Sequence, residues 1–306
     1  MKILIATEKP FAKVAVDGIA SLVKEAGHTL ALLEKYTSVE QLYEAVSDAD
    51  ALIVRSDKVT KEVIDAAKNL KIVVRAGAGY DNLDLEACSQ RAIVAMNTPG
   101  QNSNAVAELA IGMMIYMARN TFTPGTGSEL KGKRIGLHAY GHIGSLVAKL
   151  AKGFGMEVYA YVRDPKKYHL EEDGVHTALS VEELYENSDF LSLHIPATAQ
   201  TKGFIGKTLL EKLPKGACII NTARKEVINE PELIEVLEKR PDLKYATDIA
   251  TENHSTMVEK FGNRVFATPK KMGAQTSEAN INAGLASAEQ IINFFKSGDR
   301  TFQVNK

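Results

Sequence analysis

Lys133 to Asp164 reads KRIGLHAYGHIGSLVAKLAKGFGMEVYAYVRD, and this stretch decides the fold. Apolar residues around Ile135 and Leu137 lead into a tight turn. Gly141 and Gly144 then open a helix whose apolar face is Ile143, Val147, Leu150, Ala151 and Phe154. A second apolar strand, Val158 to Val162, ends in Arg163-Asp164. Strand, turn, helix and strand in that order read as a βαβ unit of the dinucleotide-binding kind, with an acidic residue about 20 positions beyond the turn. The glycines let the backbone approach a pyrophosphate, which the N–H groups at the helix start, His142 and Ile143 among them, would hold. One letter departs from G-x-G-x-x-G: the first glycine is Ala139. The other reading of the stretch is an α/β crossover with no ligand.

Working outward, the 306 residues suffice for two α/β domains, and the apolar and charged fractions are ordinary for a globular protein. A net charge of −1 excludes the strongly basic footprint of a nucleic-acid or anionic-membrane binder. An anionic substrate would have to be held by a few local cations. Cys88 and Cys218 read as buried thiols in a reducing compartment, neither a disulfide nor a metal pair, and no metal is expected. The opening MKILIATEKPF runs straight into a strand with no long apolar core, and no run approaches a membrane span, so a cytoplasmic protein is expected.

Before the nucleotide stretch, strands are expected at Lys2 to Thr7, Leu30 to Leu33, Ala51 to Val54, Lys71 to Val74 and Ile93 to Met96. Helices are expected over Phe11 to Gly27, Val39 to Val46 and, capped by Thr60, as far as Lys68. Asn97-Thr98-Pro99-Gly100 is a cluster of helix breakers and a candidate hinge, followed by a long apolar helix from Asn104 to Arg119. Beyond Asp164, strands are expected at Phe190 to His194, Ala217 to Asn221, Lys244 to Asp248 and Val265 to Ala267. Helices fall near Ser180 to Tyr185, Lys207 to Lys212, Glu230 to Lys239 and Ser277 to Lys296, and the tail Thr301 to Val304 returns to the first domain. The expected architecture is α/β in two domains, each with a parallel sheet. A Rossmann-type nucleotide domain (98–278) is inserted into a discontinuous flavodoxin-like substrate domain (1–97 and 279–306).

Ligands of open α/β sheets bind beyond the carboxyl ends of the strands. Polar clusters follow apolar strands at Arg55-Ser56, at Arg75 to Gly79, at Asn221 to Arg224 and at Thr268 to Gln275. A guanidinium such as that of Arg224 can fork a carboxylate or polarise a carbonyl, and it can equally be a plain surface arginine.

At these residues the chain resembles the D-2-hydroxyacid dehydrogenase family over nearly its whole length. The resemblance is carried by AGAGYDNLDL (76–85), NTPGQNSNAVAELAIGMM (97–114), SLHIPAT (192–198), INTARKEVINEPELI (220–234) and GAQTSEA (273–279), together with the nucleotide turn. Within the family, NTARKE, the Lys-Met-Gly-Ala segment, INAG and FQVNK are similar to the short, lysine-type phosphoglycerate dehydrogenases. The resemblance implies that Arg224 binds the substrate carboxylate and the reacting oxygen. It implies that Ala76, Gly77 and Ala78 offer backbone N–H groups to that carboxylate, and that Arg55, Ser56 and Asn102 hold the distal, phosphorylated part. By the same resemblance, Thr222 and Ala223 are expected to border the cofactor and Asp248 to orient the nicotinamide carboxamide. His194 takes a structural or cofactor-wall role.

Two positions depart from the family. Its catalytic histidine is replaced by Lys271, and the glutamate five residues after the acid matching Asp248 is Asn253, flanked by Glu252 and His254. The changes make sense as a pair. A free lysine has a pKa near 10.4, and bringing it to about 7 costs roughly 5 kcal/mol at about 1.36 per unit. A neighbouring carboxylate would oppose that shift, whereas burial and Arg224 favour it. Lys271 is therefore the expected acid/base, with Lys270 and a displaced His254 as alternatives. For the cofactor, Asp164 favours NAD through the ribose 2′-hydroxyl and Arg163 favours NADP; NAD is expected.

The resemblance implies oxidation of D-3-phosphoglycerate to 3-phosphohydroxypyruvate or the reverse, the first step of L-serine biosynthesis. The alternatives are a glyoxylate or hydroxypyruvate reductase and a non-catalytic NAD sensor. The long helix from Asn104 implies, through the family, a homodimer.

Overall fold

The computed structural model describes residues 1–305. It divides into two compact units, 1–102 together with the chain from 275 onward, and 103–274. The first unit runs β1 (Lys2–Thr7), α1 (Lys13–Glu25), β2 (Thr29–Glu34), α2 (Val39–Val46), β3 (Ala51–Val54), α3 (Lys61–Ala66), β4 (Ile72–Arg75), α4 (Leu85–Gln90), β5 (Val94–Asn97). All five strands are parallel, in the order β2-β1-β3-β4-β5. That is the flavodoxin-like order, whose reversal point lies between β1 and β3.

The reason is visible in the strands. β3, ALIV, is buried at every position because helices cover both faces of a parallel sheet. Alternate residues go to opposite faces. Leu4, Leu52 and Val73 pack with Leu42, Val46, Val63 and Ile64 on one side. Ile3, Ile5, Ile53 and Val74 pack with Ala15, Ile19 and Val23 on the other. Thr60 does not cap α3 as expected: its hydroxyl donates to Glu62 Oε2 at 2.6 Å, and the helix stops at Ala66. α4 is held by Asp84, whose Oδ1 accepts from Ala87 N at 2.9 Å.

The second unit runs α5 (Ser103–Ala118), β6 (Arg134–His138), α6 (His142–Gly153), β7 (Glu157–Tyr161), β8 (His176–Thr177), α7 (Val181–Glu186), β9 (Phe190–Leu193), α8 (Lys207–Leu210), β10 (Cys218–Asn221), α9 (Glu230–Lys239), β11 (Lys244–Thr247), α10 (His254–Phe261), β12 (Val265–Ala267). Its seven parallel strands are ordered β12-β11-β10-β9-β6-β7-β8. This is the Rossmann order with one added strand, and the reversal point lies between β6 and β9. α5 is apolar nearly all round. Ala107, Ala110, Ile111, Met114 and Met117 share a core with Ile135, Leu137 and Val147, which accounts for much of that composition within the unit. Both cysteines are buried free thiols, and burial pushes Cys88 up to about 11 and Cys218 to about 12.

The chain then returns as α11 (Ser277–Ser297), capped by Thr276, whose Oγ1 accepts from Ala279 N at 3.1 Å. α11 lies against α1. A Cβ on Gly18 would meet Leu285 Cδ2 at 2.7 Å, so the absent side chain permits the close packing. The tail joins the first unit as a single antiparallel bridge, Met96 to Gln303, instead of a strand. Asn305 secures it, accepting from Ala95 N at 2.8 Å and donating to Ile93 O at 2.9 Å. The unit boundaries fall after Asn102 and before Gln275, not after Asn97 and Glu278. Thr98 explains the first shift: its N–H donates to Gly77 O at 3.0 Å, and its Oγ1 accepts from Gly77 N at 2.6 Å. The Thr276 cap explains the second. No helix among the described residues is long and apolar enough to cross a membrane.

Candidate functional site

In the second unit the turn between β6 and α6 carries the glycine motif. Gly141 precedes α6 with no side-chain hydrogen bond to the helix, so the first-turn N–H groups of His142 and Ile143 have no side-chain cap. Nothing lies within 4 Å of where a Gly141 Cβ would be, so open space stands before the helix start. Gly144 differs: a Cβ there would fall 2.4 Å from Ala139 O. Ala139 itself has φ +90°, the left-handed region that a glycine would take without strain. Two histidines back the turn. His138, at the end of β6, has its Nδ1 3.1 Å from Tyr185 Oη, and His194 has its Nε2 3.0 Å from Ser192 Oγ. His194 Nδ1 is buried with no hydrogen-bond partner among the described residues. Burial lowers His138 to about 4, and burial with the neighbouring His138 lowers His194 to about 3, so both imidazoles are neutral.

After β7, Val162 is buried, whereas Arg163 and Asp164 are exposed. Asp164 Oδ2 lies 3.6 Å from Lys167 Nζ.

The ends of β10 and β11 form the other polar group. Asn221 shapes the loop after β10: its Oδ1 accepts from Ala223 N and its Nδ2 donates to Arg224 O, both at 3.0 Å. Thr222 Oγ1 is left buried with no partner among the described residues. Arg224 is exposed, with Nη1 donating to Ala223 O at 2.9 Å. Asp248 is only 1 % exposed, which matters because a buried carboxylate must be partnered. Its Oδ2 accepts from Gly273 N at 3.2 Å, and its Oδ1 has no partner among the described residues. Burial raises its pKa; the Gly273 N–H and then the charges of Lys271 and Arg224 act against that rise. Asp248, Arg224 and Lys271 are thus one electrostatic group.

Asn253 and His254 lie apart in role. Asn253 precedes α10, and its Nδ2 donates to Glu230 Oε2 at 2.9 Å. Burial lowers the pKa of His254 and Glu230 works against this. Glu252 pairs with Lys225 at 3.9 Å. Lys270 O accepts from Thr268 Oγ1 at 2.8 Å.

In the first unit the candidate residues sit at the carboxyl ends of β3 and β4 and near the start of the turn before α5. Arg55 is heavily engaged. Its Nη1 donates to Lys9 O at 3.0 Å and Pro10 O at 2.9 Å, its Nη2 to Asn280 Oδ1 at 2.6 Å, and it lies 5.2 Å over the Phe11 ring. It braces the loop after β1 against α11 as well as presenting a cation. Ser56 is exposed beside it, and Asn102 is half-buried in the turn before α5. Ala76 and Gly77 are buried, Ala78 is exposed, and Ala78 O accepts from Asn97 Nδ2 at 2.6 Å.

The residue that sequence reasoning left out of the site is Arg75. Its Nε donates to Arg55 O at 2.9 Å, and its guanidinium lies where a Gly77 Cβ would be, 1.7 Å from Nη1. Arg75 stood in the polar cluster after β4, but its fold back over Gly77, which has φ +147°, is not written in the spacing. Among the described residues no group of three or more His, Cys, Asp or Glu is placed to hold a metal.

Comparison with known proteins was made on this geometry. The NAD binding domain of D-isomer specific 2-hydroxyacid dehydrogenases matches residues 110–270. The chain is 38% identical to a D-3-phosphoglycerate dehydrogenase of Methanocaldococcus jannaschii over 268 residues, 82% of this chain and 51% of that protein. It therefore spans about half the length of that relative. It is 36% identical to a hydroxypyruvate reductase of Thermotoga maritima over 281 residues, 86% of this chain and 90% of that one. Among solved structures, NAD+-bound 3-phosphoglycerate dehydrogenase of Entamoeba histolytica is 50% identical, with a TM-score of 0.87 over 100% of this chain and 99% of that one.

Proposed function

Since the chain belongs to the D-isomer specific 2-hydroxyacid dehydrogenase family, we propose that it interconverts D-3-phosphoglycerate and 3-phosphohydroxypyruvate with a nicotinamide cofactor. The observation that carries the choice of substrate is the cationic end of the first unit's sheet. Arg55 and Arg75 end neighbouring strands and are joined by the 2.9 Å bond from Arg75 Nε to Arg55 O. Two guanidiniums at the end of one sheet suit a phosphate monoester, which supports a phosphorylated substrate over an unphosphorylated one. The similarity to the Entamoeba histolytica enzyme supports the same substrate.

The residues fit a nicotinamide dinucleotide. The uncapped start of α6, the space before Gly141 and the close approach at Gly144 suit a pyrophosphate. Asp248 Oδ1 and Thr222 Oγ1, both buried without a partner among the described residues, suit a carboxamide. When bound, the nicotinamide gives or takes the hydride. The chain's own residues then have these parts. Arg224 holds the carboxylate and polarises the reacting oxygen. Ala76 to Ala78, in the first unit, present backbone N–H groups to the substrate's anionic end. Lys271 exchanges the proton at that oxygen, and the charge of Asp248 acts on both cations. Two copies associating through α5 belong to the same reading.

A second reading has its own support: the Thermotoga maritima relative is a hydroxypyruvate reductase matched over 90% of its length. The two separate in one assay. We expect kcat/KM for 3-phosphohydroxypyruvate to exceed that for hydroxypyruvate and glyoxylate by 100-fold or more, on the order of one buried charge-assisted contact or two. Equal values would favour the reductase. Lys271→Ala should lower kcat by about 10²–10⁴-fold, the usual range for a lost general acid/base. Turnover surviving that change would return the proton to His254 or water.

Asn253→Glu tests the paired departure. It sets a carboxylate against Glu230 and adds negative charge to the region. Oxidation needs Lys271 unprotonated, so the rising limb of its pH profile should move to higher pH. An unmoved profile would sink the pairing of the two changes.

A further inference from the structure

Resting on the reading of the second unit as the nucleotide unit, we infer that the loop from Val162 to Lys167 is a rim that accepts a ribose 2′-phosphate, so that the chain takes NADP(H) as well as NAD(H), with Arg163 as the principal ligand.

The inference starts from what directly follows the second strand of the βαβ unit, where an acid would hold the ribose 2′-hydroxyl and repel a phosphate. That residue is Val162, and it is buried in the core with Val158 and Ala160, offering no acceptor. The next six positions carry Arg163, Lys166 and Lys167 against Asp164 alone. The Asp164 carboxylate faces Lys167 in a 3.6 Å ion pair, and the turn between them is closed by Lys167 N donating to Asp164 O at 3.2 Å. Of the later acids, Glu172 and Asp173 have partners, which leaves the exposed Glu171. Glu172 Oε1 lies 3.4 Å from His169 Nδ1, and Asp173 Oδ2 accepts from Tyr140 Oη at 2.9 Å. Arg163 and Lys166 are exposed, and their side chains make no hydrogen bond or ion pair among the described residues. The cations of this loop therefore outnumber its unanswered acids.

The second observation is that the loop is fastened to the glycine turn. Ala139 N donates to Tyr161 O at 3.1 Å at the root of the loop. Tyr140, inside the turn, stacks edge-on against Tyr168 with ring centroids 6.1 Å apart, and its hydroxyl reaches Asp173. Tyr140 is buried, so this is a packed joint. The basic rim is thereby held next to the turn that meets the pyrophosphate. From there the adenosine ribose extends along the end of the second strand in this type of unit.

Isothermal titration of the whole chain with NADH, NADPH, AMP and adenosine 2′,5′-bisphosphate tests this without turnover. The expected result is NADPH binding no more than about threefold weaker than NADH, with the bisphosphate tighter than AMP. In Arg163→Ala the preference should move toward NADH and AMP by about tenfold, the scale of one lost charge-assisted contact to phosphate. Raising salt should move it the same way, since the contact is exposed. AMP and NADH binding with NADPH more than about tenfold weaker would overturn the inference and leave the nucleotide reading intact. So would a preference unchanged in Arg163→Ala. Binding of none of the four would overturn both.

Discussion

Two loops, one in each unit, follow buried parallel strands, and both use left-handed backbone to bring N–H groups forward. In the second unit the residue is Ala139 at φ +90°, and in the first it is Gly77 at φ +147°. What stands against each loop differs. Behind the turn of the second unit are neutral groups, His138 and His194, and the start of a twelve-residue helix. Against the loop of the first unit lies the Arg75 guanidinium. The difference separates two ways of meeting an anion. A turn backed by a helix offers partial charge and many N–H groups, which suits a diester pyrophosphate. A loop backed by arginines offers full charge in a fork, which suits a carboxylate or a phosphate monoester.

The sharpest way to break this contrast is to add one methyl group to each loop. In Gly144→Ala the new Cβ would lie 2.4 Å from a backbone oxygen, Ala139 O, which moves only if the turn moves. We expect a stability cost of about 1–3 kcal/mol, the range for overpacking, and loss of nucleotide binding by 100-fold or more. In Gly77→Ala the Cβ meets the far end of Arg75, which can swing away, although φ +147° still strains an L-residue. The expected stability cost is smaller, about 1–2 kcal/mol. Substrate KM should rise while NADH affinity is kept. Titration of both variants with NADH, beside their melting curves, reads the contrast; equal loss of NADH binding in the two would erase it.

The neutral histidines give the next largest effect. Each has a folded pKa depressed below its unfolded value near 6.5, to about 4 for His138 and about 3 for His194. The unfolded chain therefore binds protons first as pH falls. Their contribution is complete above about pH 6.5 and is lost as pH drops toward the folded values. Between pH 6.5 and 5 each histidine should remove about 2 kcal/mol, at about 1.36 per unit. Denaturant midpoints across this window should fall, with about half the slope in His138→Asn. A flat profile would mean that these imidazoles are not held neutral.

The same two loops show how far a sequence carries. Both were legible: apolar strand, glycine and following polar residues are local signals. So were the buried strands, where ALIV (51–54) and ACII (217–220) are continuous apolar runs, ended by Arg55 and Asn221. α4, with six residues, and β8, with two, are too short to show a period. α10 was missed because only Met257 and Phe261 of its eight residues are buried, which leaves little apolar stripe to read. Arg55 was legible as a strand-end cation, but not as a brace, since its partners Lys9, Pro10 and Asn280 lie 46, 45 and 225 residues away. Arg75 was visible as a letter. Its direction, folded back over Gly77, depends on side-chain geometry that no spacing encodes.

The smallest expected effect concerns the letter that departs from the glycine pattern. Ala139 at φ +90° carries a strain of about 1–2 kcal/mol that glycine would not. Glycine in turn loses more backbone entropy on folding, about 0.5–1 kcal/mol relative to alanine. The two partly offset, and Ala139→Gly should raise stability by about 0.5–1 kcal/mol. Because Ala139 O is the atom that crowds Gly144, a turn relaxed by Ala139→Gly should also tolerate Gly144→Ala better than the parent does. The double variant would then lose less than the sum of the two singles, with a coupling of about 0.5 kcal/mol or more, as expected for residues in contact. Additive losses would mean that the crowding at Gly144 is set by the β6 strand end and not by the strained residue. The contrast between a backbone-limited turn and a side-chain-limited loop would then rest on the sheet itself.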